Sequence, residues 1–189
     1  MKKVMCFIYE GFVDFETVLA CSGLNGMEDH EIVYIGYEKS PVVSSGGLAV
    51  IPDKLVSEIT STDDIEGLII PGGSERILKP ELEKLIKQLN DEKKLIAAIC
   101  AGPEFLAKVG ILSGKNYTTS QTAQVYEDNN ELDPFPRETY KETRIVQDGN
   151  IITAQGHAFV DFALKIWDWF NAYDYDGERE ELLEQFTQL

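Results

Sequence analysis

The chain has 189 residues, a length that predicts one domain with a sizeable core. With 17 Lys and Arg against 33 Asp and Glu, its net charge is −16, which disfavours binding to nucleic acids or anionic membranes. The N-terminal stretch MKKVMCFIYEGF lacks the pattern of a secretory signal, and no apolar run approaches the ~20 residues of a membrane span. We therefore expect no membrane and no nucleic acid as partners.

Cysteine usage points to a reducing compartment. The three cysteines, Cys6, Cys21 and Cys100, are an odd number, and none belongs to a CxxC pair. This indicates free thiols and a cytoplasmic protein. Together with the two histidines, His30 and His157, they show no metal-ligand spacing, so the sequence predicts no metal site.

Short apolar runs alternate with amphipathic segments along the chain. The predicted elements, in chain order, are a strand at 3–9, a helix at 15–26 capped by Asp14, a strand at 31–37, a hairpin at 41–52, strands at 67–71 and 94–99 on either side of a helix at 75–90, a helix at 103–109, a hairpin at 143–154, a helix at 159–170 and an acidic tail helix at about 174–189. In the helix predicted at 75–90, one face carries an apolar stripe made of Leu78, Leu82, Leu85 and Leu89.

This alternation predicts an α/β fold in which a mostly parallel sheet carries helices on both faces, in three layers. No repeat, linker or low-complexity segment divides the chain, so residues 1–189 are expected to form a single domain. Residues 126–142 are the one long irregular stretch and indicate a surface loop that could cover a site.

Three chemically suggestive features follow predicted strands. Glu16 comes after the first strand, Pro71-Gly72-Gly73 after the strand at 67–71, and Cys100 after the strand at 94–99. Ligands of open α/β sheets bind beyond the carboxyl ends of the strands, so these features would meet at one rim if the strands are neighbours.

By its position alone, Cys100 is about equally well interpreted as a presented nucleophile or as a buried core residue. A thiol at a sharp strand-to-helix turn is exposed like a nucleophile elbow, and the amides at a helix start favour the thiolate. Free cysteine is also among the most buried residue types. Cys6, inside an apolar strand, and Cys21, within a helix, are interpreted as core.

Gly72, Gly73 and Glu16 could assist such a thiol. The glycine amides could stabilise an oxyanion, although a tight turn would also explain the glycines. Glu16 near a helix start is most often a partner of the helix dipole. Close to Cys100, a protonated Glu16 could donate a hydrogen bond to the thiolate, and its own pKa would then be raised.

Four segments carry a resemblance to a known family: FETV around Glu16, LIIPGG at 68–73, LIAAICAGP at 95–103, and DGNIITAQG with DFAL between 148 and 164. Together they resemble the ThiJ/PfpI family, which includes the parkinsonism-associated deglycase and belongs to the class I glutamine amidotransferase-like superfamily. The resemblance covers about residues 3–170.

The resemblance implies a flavodoxin-like sandwich and a homodimer. It also implies that Cys100 is the nucleophile and redox-sensitive residue, that Glu16 is its carboxylic-acid partner, and that the amides of Gly73 and Ala101 face an oxyanion. Activities reported for the family include glyoxalase or deglycase chemistry, peptidase or amidase activity, chaperone activity and oxidative-stress sensing.

The chain departs from the family pattern at the histidine. Many members carry a histidine about twenty residues after the cysteine, where this chain has Ser120, or directly after it, where this chain has Ala101. The peptidase reading is weakened accordingly. His30 is expected in a surface-like loop at the amino end of a strand, the wrong end of the sheet. We hypothesise that His157 supplies the base, against the alternative that it caps or packs a helix start.

Two functions remain. The first is a cofactor-independent enzyme that uses the Cys100 thiolate on small reactive carbonyls, in the manner of a glyoxalase or deglycase, with Glu16 moving the proton. The second is a redox sensor in which Cys100 is oxidised without turnover. An amidase or peptidase is a third and weaker reading, and Ser120 is either a substrate contact or a polar loop residue.

Overall fold

A seven-stranded sheet forms the centre of the computed structural model, which describes residues 1–187. The strands are β1 (Lys2–Phe7), β2 (His30–Gly36), β3 (Val42–Val43), β4 (Ala49–Val50), β5 (Lys54–Leu55), β6 (Ile65–Ile70), β7 (Leu95–Ile99), β8 (Ile145–Asp148) and β9 (Ile151–Ala154). The helices are α1 (Phe15–Asn25), α2 (Pro80–Asp91), α3 (Pro103–Val109), α4 (Ala123–Asp128), α5 (Phe159–Phe170) and α6 (Glu178–Thr187).

The sheet has the order β5-β2-β1-β6-β7-β9-β8, and every neighbouring pair is parallel except β8 and β9. Helices α1 and α5 pack together on one face of the sheet, and α2 and α3 pack together on the other. Strands β3 and β4 form a separate antiparallel ribbon. The α/β fold with a mostly parallel sheet between helices is therefore confirmed.

The strand order reverses at β1, which lies between β2 and β6. The chain runs outward from β1 through β2 to β5, then returns to the other side of β1 as β6. A crevice opens at such a switch point, beyond the carboxyl ends of the strands. Because Ile70 in β6 lies opposite Ala98 in β7, the segments that follow these two strands start side by side at this crevice.

The helix predicted at 75–90 begins at Pro80 instead. Proline fits the first turn of a helix, and the residue before it avoids helical backbone angles. Lys79 accordingly has φ −93° and ψ 154°. Leu78 thus lies before α2, and the buried face of the helix is Leu82, Leu85, Ile86 and Leu89.

The structure differs from three further predictions made from the sequence. The irregular stretch predicted at 126–142 starts inside α4, and a 3-10 turn occupies Arg137–Thr139. His30 is buried at the start of β2, with Nδ1 2.6 Å from Asp29, rather than in a surface-like loop. The predicted tail helix starts only at Glu178, because Gly177 has φ +97°, which no helix accommodates. Its last two residues, 188 and 189, lie outside the described residues.

Among residues 1–187, no helix is long and apolar enough to cross a bilayer.

Close packing of α1 against α5 generates a stability prediction at Gly23. A Cβ at Gly23 would lie 2.3 Å from Cε2 of Trp167, whose indole N–H donates to Ala20 O at 2.8 Å. At Gly26 the nearest atom to a Cβ would be 3.6 Å away. We expect Gly23→Ala to lower the free energy of unfolding by about 2 kcal/mol through overpacking. Gly26→Ala should change it by less than about 0.5 kcal/mol. Urea denaturation of both variants measures this, and equal stabilities would contradict the packing described.

Candidate active site

Cys100 stands at a sharp turn between β7 and α3. Its φ is +61°, a left-handed conformation that is uncommon for a residue with a side chain. Three hydrogen bonds hold it there. Its N–H donates to Ala154 O at 2.8 Å, and its carbonyl accepts from Ser120 N–H at 2.9 Å and from Thr119 Oγ1 at 2.7 Å. Backbone strain of this kind persists only where the surroundings fix it, so the thiol is presented in one direction.

Two glycines make room for the thiol, and a third makes room for the turn that carries it. A Cβ on Gly72 would lie 2.8 Å from Cβ and 3.0 Å from Sγ of Cys100, and a Cβ on Gly156 would lie 2.9 Å from Sγ. At Gly102 a Cβ would lie 2.6 Å from Ile70 O, so glycine lets the turn approach β6. Larger side chains at these positions would displace the sulfur or the turn.

Glu16 meets this sulfur from the first turn of α1. It is only 2% exposed, and its Oε2 accepts a hydrogen bond from Gly72 N–H at 2.7 Å. Burial raises the pKa of Glu16 to about 7, against hydrogen bonds from Gly72 and Cys100 that lower it. A carboxyl group with this pKa can both accept and release a proton near neutral pH.

The pKa of the Cys100 thiol is raised to about 11. Burial is the largest cause and the negative charge of Glu16 the second, while hydrogen bonds from Ser120 and from Ala101 N–H lower it. The sequence led us to expect a helix start that favours the thiolate. The amide contribution is present, but burial and the neighbouring carboxylate outweigh it.

These two pKa values define how the pair carries its proton. Between about pH 7 and pH 11, Glu16 is a carboxylate and Cys100 a thiol. Their hydrogen bond lowers the pKa of the acid and raises that of the thiol, the signature of an S–H group donating to a carboxylate. The sulfur therefore rests beside its own proton acceptor.

Ser120 reaches the site from the loop before α4. Its Oγ accepts from Gly156 N–H at 3.0 Å, lies 3.2 Å from Gln155 Oε1, and hydrogen-bonds to the sulfur of Cys100. Because the hydroxyl has one proton, it can be donated either to Gln155 or to the sulfur. Ser120 thus replaces an imidazole with a group that donates to sulfur and takes up no proton at neutral pH.

Gln155 and Gly156 are site residues that the sequence analysis missed. The Gln155 amide donates to Thr118 Oγ1 and to Thr119 O, both at 2.8 Å, and this turns its Oε1 towards Ser120. The available signal was their place directly after the last strand, β9, in the segment AQGHAF.

In the Gly72-Gly73 turn after β6, the two amide groups differ in their hydrogen bonding. Gly72 N–H, predicted to face an oxyanion, is occupied by Glu16, so it positions the carboxylate instead. Among the described residues, no group accepts a hydrogen bond from Gly73 N–H. Ala101 N–H points to the Cys100 sulfur. Ala101 N–H therefore borders the sulfur, and Gly73 N–H remains available as a hydrogen-bond donor.

His157 is not brought to Cys100. It lies in a 3-10 turn, its side chain is exposed, and it lines a depression of about 390 Å³ with Tyr140, Arg144 and Gln155. His30 is at the opposite, amino end of the sheet. Neither histidine is among the groups that shift the pKa of Cys100.

Within the described part of the chain, no group of three or more His, Cys, Asp or Glu side chains could hold a metal ion.

Comparison with known proteins finds similar proteins that carry several different names. The chain is 33% identical over 138 residues to Protein DJ-1alpha of Drosophila melanogaster, an alignment covering 69% of this chain and 59% of that protein. It is 29% identical to the Uncharacterized protease YdeA of Bacillus subtilis, over 86% of this chain and 80% of the relative. It is 27% identical to the Deglycase TK1284 of Thermococcus kodakarensis, over 64% and 73% of the two chains.

A solved structure and a family model cover most of the chain. The DJ-1 superfamily protein Atu0886 from Agrobacterium tumefaciens superposes with a TM-score of 0.83 at 28% identity, over 100% of both chains. The model of the DJ-1/PfpI family matches residues 2–168. With the fold, the elbow cysteine and the glutamate after β1, this match shows that the chain belongs to the DJ-1/PfpI family.

Proposed function

We propose that this protein is a cofactor-independent enzyme that acts on small reactive carbonyl compounds, such as 2-oxoaldehydes, through Cys100. The observation that carries the proposal is the buried contact between the Cys100 thiol and Glu16, whose pKa of about 7 suits a proton carrier at neutral pH. A relative named a deglycase supports carbonyl chemistry.

In the first step, Glu16 acts as general base. Its carboxylate accepts the thiol proton as the sulfur attacks the aldehyde carbon, so an S–C bond forms and the C=O π electrons move to oxygen. The resulting oxyanion then takes the proton from Glu16 and gives a hemithioacetal. Glu16 thereby supplies the base that a histidine supplies in other members of the family.

The developing oxyanion needs hydrogen-bond donors. We assign this role to Ala101 N–H, which hydrogen-bonds to the sulfur, and to Gly73 N–H, which has no partner among the described residues. Fixed amides that meet negative charge only in the transition state accelerate the step rather than tightening substrate binding.

For a 2-oxoaldehyde, the remaining chemistry requires no external oxidant. The hydrogen on the hemithioacetal carbon moves as a proton to the neighbouring carbonyl carbon, and the hydroxyl proton of the hemithioacetal moves to the oxygen of that carbonyl. The neighbouring carbonyl thereby becomes an alcohol, and the hemithioacetal becomes a thioester. Water then cleaves the thioester, which releases a 2-hydroxy acid and restores the thiol. The sum is the addition of one water to the substrate, with Glu16 placed to carry the protons.

We expect the purified protein to consume methylglyoxal, and Cys100→Ser and Glu16→Gln to lose at least about 100-fold in kcat, since each removes a reacting group. His157→Ala should retain wild-type turnover, because this side chain does not reach Cys100. The assay follows methylglyoxal loss and 2-hydroxy acid formation.

The same assay has a defined pH dependence. Because Glu16 must be ionised to act as base, kcat/KM should rise as pH increases through about 7. No consumption above the Cys100→Ser background would overturn the carbonyl enzyme. Loss of turnover in His157→Ala would instead assign the base to the histidine.

A second candidate is a redox sensor, favoured by the donors that surround the sulfur. Ser120 Oγ and Ala101 N–H already hydrogen-bond to it, and a protonated Glu16 could add a third donor. Peroxide would transfer one oxygen atom to Cys100 and leave as water, giving a sulfenic acid, and a second equivalent would give a sulfinic acid. These donors would stabilise the added oxygens, and this role requires no histidine.

For the sensor, intact-mass measurement under graded peroxide should show oxygen added at Cys100 before Cys6 or Cys21, since both of those thiols are buried. Ser120→Ala should lower the fraction that stops at the sulfinic acid, because one donor is lost. Oxidation spread evenly over the three cysteines would exclude a sensor centred on Cys100.

A further inference from the structure

The oxyanion amide assigned to Gly73 belongs to a turn whose other polar groups are held. Pro71 O accepts from the hydroxyl of Tyr9 at 3.0 Å, and Gly72 O accepts from Val13 N–H at 3.0 Å. The second bond fixes the peptide plane that carries Gly73 N–H, because that plane contains both groups. The peptide plane before Gly73 is therefore fixed by the segment that leads into α1.

The plane after Gly73 is held by Arg76. Its Nη1 donates to Gly73 O and also approaches Ser74 O at 3.4 Å. A glycine without this second anchor rotates readily, since it has no side chain to restrict its dihedral angles. Val13 therefore holds the plane of Gly73 N–H, and the guanidinium group of Arg76 holds the plane that follows. The position of the Gly73 backbone thus depends on both anchors.

Arg76 is itself held by a buried carboxylate. Its Nε donates to Oε2 of Glu104 at 2.8 Å, and Glu104 is only 4% exposed. Glu104 also accepts from Tyr126 Oη at 2.8 Å and pairs with Lys108. Burial opposes its ionisation, but the hydrogen bonds from Lys108, Arg76 and Tyr126 prevail and lower its pKa. The carboxylate is charged throughout the neutral range.

Glu104 lies in the first turn of α3, the helix that begins directly after the Cys100 elbow. The ion pair therefore joins the helix that follows the nucleophile to the turn that presents the oxyanion donor. Neither side chain is among the groups that shift the pKa of Cys100 or of Glu16. The direct contact of the pair with the glycine turn is the bond from Arg76 to Gly73 O, so we expect its effect on catalysis to act through the position of Gly73.

We propose that Arg76 and Glu104 are positioning residues that lock the Gly73 amide against the Cys100 elbow for the carbonyl addition. The inference rests on the proposed function for its catalytic consequence, but not for its structural one. Arg76 fixes the Gly73 carbonyl, and Glu104 fixes Arg76. Removing either one leaves the nucleophile and base in place and releases the donor of the oxyanion.

The first experiment is steady-state kinetics with methylglyoxal for Arg76→Gln, Arg76→Lys, Glu104→Gln and the control Lys108→Gln. Arg76→Gln should lower kcat by about 10-fold or more with KM changed less than about threefold, because the amide acts on the transition state. Arg76→Lys should recover part of kcat, since an ammonium can still reach Gly73 O. Lys108→Gln removes another partner of Glu104 and a long hydrogen bond of 3.4 Å to Arg76 O, but it leaves the side-chain bonds from Arg76 to Gly73 O and to Glu104. Its kcat should stay within about twofold of wild type.

Alkylation of Cys100 by iodoacetamide separates positioning from general damage. This displacement develops no carbonyl oxyanion, so its rate in Arg76→Gln should remain within about twofold of wild type. Equal losses of alkylation and turnover would mean that the substitution disrupts the whole site, and the positioning role would be withdrawn.

Amide exchange at Val13, measured by NMR, tests the positioning without any substrate. Val13 N–H is hydrogen-bonded to Gly72 O, in the peptide plane that carries Gly73 N–H, and release of the turn should raise its exchange rate about 10-fold in Arg76→Gln but not in Lys108→Gln. If the wild type consumes no methylglyoxal and this exchange still rises in Arg76→Gln, the positioning role of Arg76 is supported and the proposed function is wrong. If exchange and kcat both match the wild type in Arg76→Gln, the lock is wrong.

Discussion

The site depends on one buried contact, the one between the Cys100 thiol and the carboxyl group of Glu16, whose Sγ and Oε2 both border Gly72. It couples two groups that would behave differently alone. A buried thiol is a poor nucleophile, and its pKa of about 11 keeps it protonated at neutral pH. A buried carboxyl with a pKa of about 7 is a stronger base than an ordinary carboxylate, and it borders Gly72 together with the sulfur. In the proposed reaction, the chain therefore needs no histidine to generate the nucleophile.

The fold supplies this contact through its switch point. Glu16 follows β1, the Gly72-Gly73 turn follows β6, and Cys100 follows β7, and these three strands are adjacent in the sheet. Gly72 connects the first two, because its amide binds the carboxylate while its missing side chain leaves space for the sulfur. In the proposed reaction, the same turn also offers Gly73 N–H to the oxyanion, so one short segment would position both the base and the oxyanion.

Much of this arrangement was predictable from local sequence. Apolar runs and their spacing gave the parallel sheet, and the rule that ligands bind beyond the carboxyl ends of strands brought Glu16, Gly73 and Cys100 together. The start of α2 was missed because the leucine stripe continues through Leu78, whereas Pro80 decides where the helix begins. A periodic pattern reports burial, and Leu78 packs on the core without being helical.

The parts of the site that escaped prediction depend on contacts distant in sequence. Gln155 orients Ser120 from 35 residues away, and no local pattern distinguishes it from an ordinary polar residue after a strand. The pKa of Cys100 was expected to fall, because the amides at the helix start can be inferred from sequence but the degree of burial cannot. His157 stands beside Gly156, which does contact the sulfur, yet its own side chain faces solvent.

The most direct test of the central claim is an NMR titration of the Glu16 side-chain carboxyl in the intact chain, with its resonance assigned from the Glu16→Gln spectrum. The carboxyl should titrate near pH 7, and Cys100→Ala should raise its pKa further, because the hydrogen bond from the thiol lowers it. A carboxyl that titrates near its ordinary value of about 4.3 and ignores Cys100→Ala would show that the two side chains do not share a buried contact, and the account of the site would be wrong.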